Sequence, residues 1–181
     1  VRSIRPGAVS ERVFKMSGTR RVRTHTCGEL TSKHIGSTVT LVGWAHKRRD
    51  HGGVIFIDLR DRYGVTQTVV DPTNAAALKE AEKVRNEYVV FMRGSVRARP
   101  SGMTNSKLPT GEIELYVEQC EILSESKPLP FPIEDGSEVS ETLRLKYRYL
   151  DLRRPSLQNN LITRHRVGQL VRNYLDENGF L

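Results

Sequence analysis

Two alternating runs separated by paired glycines occupy residues 39–61, and that pattern leaves the chain few folds to choose from. Residues 39–47 alternate as a strand, with Trp44 beside Gly43, where the missing side chain permits sharp coiling. Asp50, His51, Gly52 and Gly53 are expected to make the turn, because adjacent glycines supply the positive φ of a tight hairpin. Residues 54–61 read as a second strand, and Tyr63-Gly64 turns the chain into a third over 65–70. The expectation is a three-stranded meander.

In the second strand Ile55, Ile57 and Leu59 share one face, while Val54, Phe56, Asp58 and Arg60 share the other. Phe56 is therefore a large aromatic on a polar face, just beyond the basic run Lys47, Arg48, Arg49. A flat ring for a base, with cations nearby for phosphates, suits a single-stranded nucleic acid. The alternative is a ring that covers a small core under a loop, the commoner use of a strand aromatic.

The rest of the meander's surroundings extend this pattern. Asp71-Pro72-Thr73 carries helix-start chemistry, and 75–85 is a run of good helix formers. Residues 88–99 return to strand character and end in basic residues, and 100–111 form a polar loop. Residues 112–123 then alternate Ile113, Leu115 and Val117 against Glu112, Glu114 and Tyr116. Three strands, a helix and two strands is the order of an OB-fold, a mainly β, five-stranded Greek-key barrel that binds oligonucleotides on one face. Closure also removes the sheet edges that so short a domain would expose.

A chain of 181 residues can bury one good core with an appendage. Its 29 Lys and Arg against 21 Asp and Glu give +8, unevenly spread. Residues 1–23 carry seven basic residues and one acid, 112–141 carry nine acids and one base, and 142–172 turn basic again. An acidic belt between basic regions fits an oriented polyanion site, or merely a solvated surface. Cys27 and Cys120 lie far apart and belong to no CxxC pair, so disulfide-scaffold and metal readings fall away. His46 and His51 show no ligand spacing, and no apolar run is long enough to cross a bilayer. The cytoplasm is the expected compartment. The chain begins with Val1, and residues 1–23 are read as a disordered basic extension, because Pro6 and Gly7 interrupt the amphipathic helix a targeting leader would need.

Pro128, Pro130 and Pro132 deny regular structure and read as a stiff connector within a linker over 126–140. Residues 141–152 form a basic amphipathic segment, and Pro155-Ser156 open a helix in which Val167, Leu170, Val171 and Tyr174 keep helical spacing until Asn178-Gly179. That apolar face has nothing evident to pack against, which suggests a partner surface beyond Leu181.

The sequence resembles the N-terminal part of bacterial-type aspartyl-tRNA synthetases, class II enzymes with an N-terminal OB-fold anticodon-binding domain. The likeness is carried by THTCGEL at 24–30, GWAHKRRDHGGVIFIDLRDRYGVTQ at 43–67, TGEIEL at 110–115, PLPF at 128–131 and RLKYRYLDLRRP at 144–155. The last block is shared in looser form with lysyl-tRNA synthetases, while the RRD turn before IFIDLRD, together with TGEIE, favours the aspartyl family.

The resemblance implies an anticodon-binding barrel over 24–125 and the helical start of a catalytic domain over 141–181. It further implies that Phe56 stacks on an anticodon base, that Gln67 reads the central uracil and that Arg49 contacts the anticodon. These residue types suit those tasks: a ring offers a π-face, an amide both donates and accepts, and a guanidinium stacks or grips forked oxygens. Arg99 and Glu112 are expected on the same face, with Glu112 able to accept from a cytosine amino group, although a solvated strand end is an open alternative. The family adenylates aspartate with ATP and Mg²⁺ and transfers it to the 3′ end of tRNA-Asp, working as a homodimer. Its catalytic motifs lie downstream, so no catalytic residue and no cofactor are expected in this chain. Asp151 and Arg153 read as packing and salt-bridge residues. Within the family, histidine then glycine at the positions of His51 and Gly52, and proline at Pro100, accompany enzymes that also charge tRNA-Asn; a lone hairpin histidine explains His51 equally simply. A free-standing OB-fold binder of single strands and a lysyl-type domain remain the competing readings.

Overall fold

The computed structural model describes residues 22–180; the basic extension expected over 1–23 lies outside them, apart from Val22 and Arg23. Strands β1 (Thr38–His51), β2 (Val54–Arg60), β3 (Val65–Val70), β4 (Val89–Ala98) and β5 (Ile113–Ser124) close into a barrel in the order β1-β2-β3-β5-β4. Helix α1 (Ala75–Lys83) lies between β3 and β4. Only the β3–β5 pair is parallel. This is the OB-fold expected from the element order.

Alternation, clearest in β2 and β5, fills the barrel. Ile55, Ile57 and Leu59 from β2, Leu41 from β1, Met92 from β4 and Ile113 and Leu115 from β5 are fully buried inside. In β2 and the first half of β5 their sequence neighbours face outward and carry polar groups, whereas β1, β3 and β4 each also bury runs of consecutive residues. Helix α1 adds Ala77 and Ala81 to the same core, small residues that let its backbone approach the barrel closely.

The boundaries differ from the sequence expectation most at the β1–β2 turn and at the two ends of α1. Asp50 and His51 are strand, paired with Ile55 and Val54, so the turn is Gly52 and Gly53 alone, at φ 63° and 87°. Both glycines hold the left-handed φ that a two-residue type I′ hairpin demands, and strand pairing overrides the turn preference of the two polar residues before them. In α1 the cap is Asn74, whose side chain accepts from Ala77 N at 3.1 Å, while Asp71 folds onto Thr73 one step earlier. The helix ends at Lys83 because Val84 turns into the core.

Strand β1 also carries a bulge at His46, where its register against β2 shifts between Ala45 and Lys47. The added twist lets one long strand pair with β4 through its first half and β2 through its second.

The chain divides into two compact units between Lys127 and Pro128. In the second, α2 (Glu141–Lys146), α3 (Arg148–Asp151) and α4 (Pro155–Glu177) follow the proline-rich segment. The expected continuous segment over 141–152 is broken at Tyr147, which leaves helical geometry at φ −113°, ψ 45°. The proline-rich stretch is more than a connector, because Phe131 and Ile133 are buried with Leu150 in a core of their own. Asp151 is buried and held by Arg148 and Arg154 of its own unit, so its packing role is as expected while these ion pairs lie within the unit instead of between domains. On α4, Val167, Leu170, Val171 and Tyr174 are exposed. No helix among the described residues is long and apolar enough to cross a membrane.

Candidate nucleic-acid interface

The outer rows of β1, β2, β3 and β5 assemble one polar face. Register places Arg49 opposite Phe56, Phe56 opposite Val69, and Asp58 opposite Gln67. Because β3 lies parallel to β5, with Val69 beside Tyr116, Gln67 is brought next to Glu114. Residues from four strands thus meet on a surface of the barrel that its apolar alternation leaves free.

Phe56 is half-buried there, and its ring makes a T-shaped contact with that of His51, 5.8 Å between centroids at an interplanar angle of 69°. His51 itself is exposed at the end of β1.

A chain of polar contacts runs beside the ring. Arg49 donates to Asp58 Oδ1 at 2.7 Å and reaches Gln67 Oε1 at 3.4 Å. Gln67 in turn donates from Nε2 to Glu114 Oε2 at 3.1 Å. Both ends of the Gln67 amide are therefore oriented, yet one amide hydrogen and one oxygen lone pair remain unspent. Such an amide, fixed by its neighbours before any ligand arrives, is preorganised for base-edge recognition.

Arg99 joins this cluster from the end of β4. Its Nε donates to the Ile113 carbonyl at 3.0 Å, and its Nη2 is buried with no hydrogen-bond partner. Burial lowers the Arg99 pKa, with Glu114 and Asp58 opposing the shift and Arg49 adding to it. Glu114 responds in the opposite sense: burial pushes its carboxyl above the ordinary value, against the pull of Gln67, Arg99 and Arg97. The unpartnered Arg99 Nη2 is a donor that an incoming polar ligand would satisfy.

The sequence-predicted residues do not all converge. Arg49, Phe56, Gln67 and Arg99 come together, with His51 in contact with the Phe56 ring. Glu112 is exposed just before β5 and meets Arg99 only through its backbone carbonyl, at 2.9 Å. Pro100 is exposed at the start of the loop between β4 and β5. The carboxylate in the cluster is Glu114, and Asp58 is the anchor of Arg49. Alternation had already put Glu112 and Glu114 on one face; which of them reaches Gln67 depends on the β3–β5 register, which no local pattern encodes.

Comparison with known proteins agrees with this geometry. The OB-fold nucleic acid binding domain family matches residues 39–123, and the class II tRNA synthetases (D, K and N) match 140–181. The aspartate–tRNA(Asp/Asn) ligase of Geotalea uraniireducens is 59% identical over 160 residues, covering 88% of this chain and 27% of that protein. That of Moorella thermoacetica is 57% identical over 158 residues, covering 87% of this chain and 26% of its own length. The chain thus spans about a quarter of the length of these curated relatives. Among solved structures, asparaginyl-tRNA synthetase from Pyrococcus horikoshii superposes with a TM-score of 0.72 at 27% identity, over 86% of this chain and 36% of that one. From the two matched domains and the shared barrel, the chain belongs to the bacterial-type aspartyl-tRNA synthetase family, whose N-terminal portion it matches.

Proposed function

We propose that residues 24–125 recognise the anticodon arm of tRNA-Asp, as the anticodon-binding domain of an aspartate–tRNA ligase. In this reading 126–140 is the linker and 141–181 begins the catalytic domain. The observation that carries it is the Arg49–Gln67–Glu114 run of contacts beside Phe56. Phe56 supplies a stacking face, the unspent donor and acceptor of Gln67 match the mixed edge of a uracil, and Glu114 can accept from a base amino group. Arg49 and Arg99 supply charge for phosphate and base oxygens, Arg49 being aimed by Asp58. Glu112 and Pro100 lie along the loop side, where they would meet flanking nucleotides.

The complete protein would activate aspartate with ATP and Mg²⁺ and pass it to tRNA-Asp and tRNA-Asn, as a cytoplasmic homodimer. The relatives' names support the double tRNA specificity. Among the described residues no group of three or more His, Cys, Asp or Glu could hold a metal ion, so Mg²⁺ has no ligand set assigned to them. This chain alone is proposed to bind and not to acylate.

Titration with hairpin RNAs tests the reading. A GUC loop should bind in the micromolar range or weaker, weakening steeply with added salt, and better than a loop with cytosine at the centre. Equal binding to unrelated single strands would mean a general binder, and preference for a UUU loop a lysyl-type domain. Aspartyl-adenylate formation by the chain alone would overturn the assignment of catalysis to residues beyond it.

A further inference from the structure

Phe56 is not the last flat group in its row. Val69, its register partner, lies beside Tyr116 of β5, and Tyr116 lies opposite Ser95 of β4. Phe56 and Tyr116 are thus two strand spacings apart, about 10 Å, on the same outer face. A splayed single strand covers that separation easily.

Tyr116 is half-buried, and its hydroxyl lies on the side of Asp71, whose carboxyl it helps Thr73 to hold below the ordinary value. Over its ring lies the Arg97 guanidinium, with Cζ 3.4 Å from the centroid. That is stacking distance, against 5.5 to 5.7 Å for the other cation–ring contacts in the described residues. Arg97 is exposed and makes no salt bridge among the described residues; its relation to Glu114, opposite it across β4 and β5, is longer-range attraction. One face of its plane is therefore covered by a ring, and the other is turned away from it.

We propose that Arg97, held flat on Tyr116, is a second base platform, taking an unpaired nucleobase of the same loop whose neighbouring base stacks on Phe56. A planar guanidinium stacks on bases as aromatic rings do, and its edge donors remain available for phosphate. A cation that served phosphates alone would gain nothing from being pinned to a ring, where it loses the freedom to follow the backbone. The inference rests on the anticodon-arm reading and extends it to a further nucleotide.

The test uses the full chain and a GUC-loop hairpin, intact or with one loop nucleotide at a time made abasic. Arg97→Lys keeps the charge and removes the plane. It should weaken binding of the intact hairpin about tenfold, the size expected for one stacked base, with the salt dependence unchanged. The loss should vanish at one abasic position, different from the position at which the Phe56→Ala loss vanishes. Tyr116→Leu, which removes the ring under the guanidinium, should behave like Arg97→Lys. If Arg97→Lys binds every hairpin normally, or loses equally at every abasic position, the platform is overturned while the Phe56 result stands. A chain that binds no hairpin, with or without Phe56, overturns the anticodon-arm reading and this proposal with it.

Discussion

Gln67 and Glu114, 47 residues apart in sequence, share a 3.1 Å hydrogen bond across the parallel β3–β5 pair. The bond fixes which end of the amide faces which neighbour, since Arg49 takes the oxygen and Glu114 the nitrogen. Gln67→Ala should therefore cost discrimination more than affinity. Hairpins with uracil or cytosine at the central position should converge in affinity, while binding of both persists through phosphate contacts. If the unaltered chain already binds the two alike, Gln67 has no reading role.

Glu114 also makes the barrel pH-sensitive. Its folded carboxyl is raised above the ordinary 4.5 by burial, so the folded chain keeps a proton that the unfolded chain has lost. Between 4.5 and the raised value the group adds stability as pH falls, and that contribution disappears as pH rises through the folded pKa. Glu114→Gln removes the dependence. Melting temperatures of the two proteins should diverge in favour of the variant as pH rises through this window; parallel curves would show that the ionised carboxylate is not penalised.

Phe56→Ala should weaken anticodon-hairpin binding by roughly 1 to 3 kcal/mol, the range for loss of one base-stacking aromatic. Folding should survive, because the ring faces outward while Ile55 and Ile57 on either side remain in the core. Circular dichroism separates the outcomes: a variant that loses both binding and its melting transition would make Phe56 a packing residue.

Much of this was legible in the sequence because period-two alternation writes both faces of a strand at once. Ile55, Ile57 and Leu59 announced the core, and Phe56 stood out by contrast. Long-range register was not legible: nothing near Glu112 or Glu114 states which will meet Gln67, and nothing near Tyr116 states that Arg97 will lie over it. The end of β1 was misjudged for a related reason. Asp50 and His51 have turn chemistry, but their pairing with Ile55 and Val54 holds them extended. In the second unit, the prolines hid the apolar residues beside them: Phe131, between Pro130 and Pro132, and Ile133, just past Pro132, form the core with Leu150.

Barrel closure depends on Gly94, where any Cβ would run into the backbone carbonyl of Tyr116 across the β4–β5 pair. Backbone cannot give way as a side chain can. Gly94→Ala should destabilise the barrel by about 3 kcal/mol, the upper end of overpacking costs, and should also weaken hairpin binding by shifting the strand that carries Tyr116. Urea denaturation of variant and parent measures the first effect; an unchanged midpoint would mean that β4 and β5 can separate freely.

The choice between tRNA-Asp and tRNA-Asn rests on the last anticodon base, C in one and U in the other. His51 stands exposed at the end of β1 in T-shaped contact with Phe56, so in the proposed complex a nucleotide beside the stacked base would pass its imidazole. An imidazole both donates and accepts and so tolerates either the amino group of cytosine or the carbonyl of uracil, whereas an aliphatic side chain would only pack. Gly52 and Gly53 behind it impose the turn without adding a side chain that could contact that base. The expected outcome is relaxed specificity, with GUC and GUU hairpins bound within a factor of ten, about 1.4 kcal/mol, of each other. His51→Leu should widen the gap in favour of GUC while leaving Phe56-dependent stacking intact. A larger preference for GUC in the unaltered chain would reject the double tRNA assignment, and an unchanged ratio in His51→Leu would move the discriminating contact elsewhere, to the loop around Pro100.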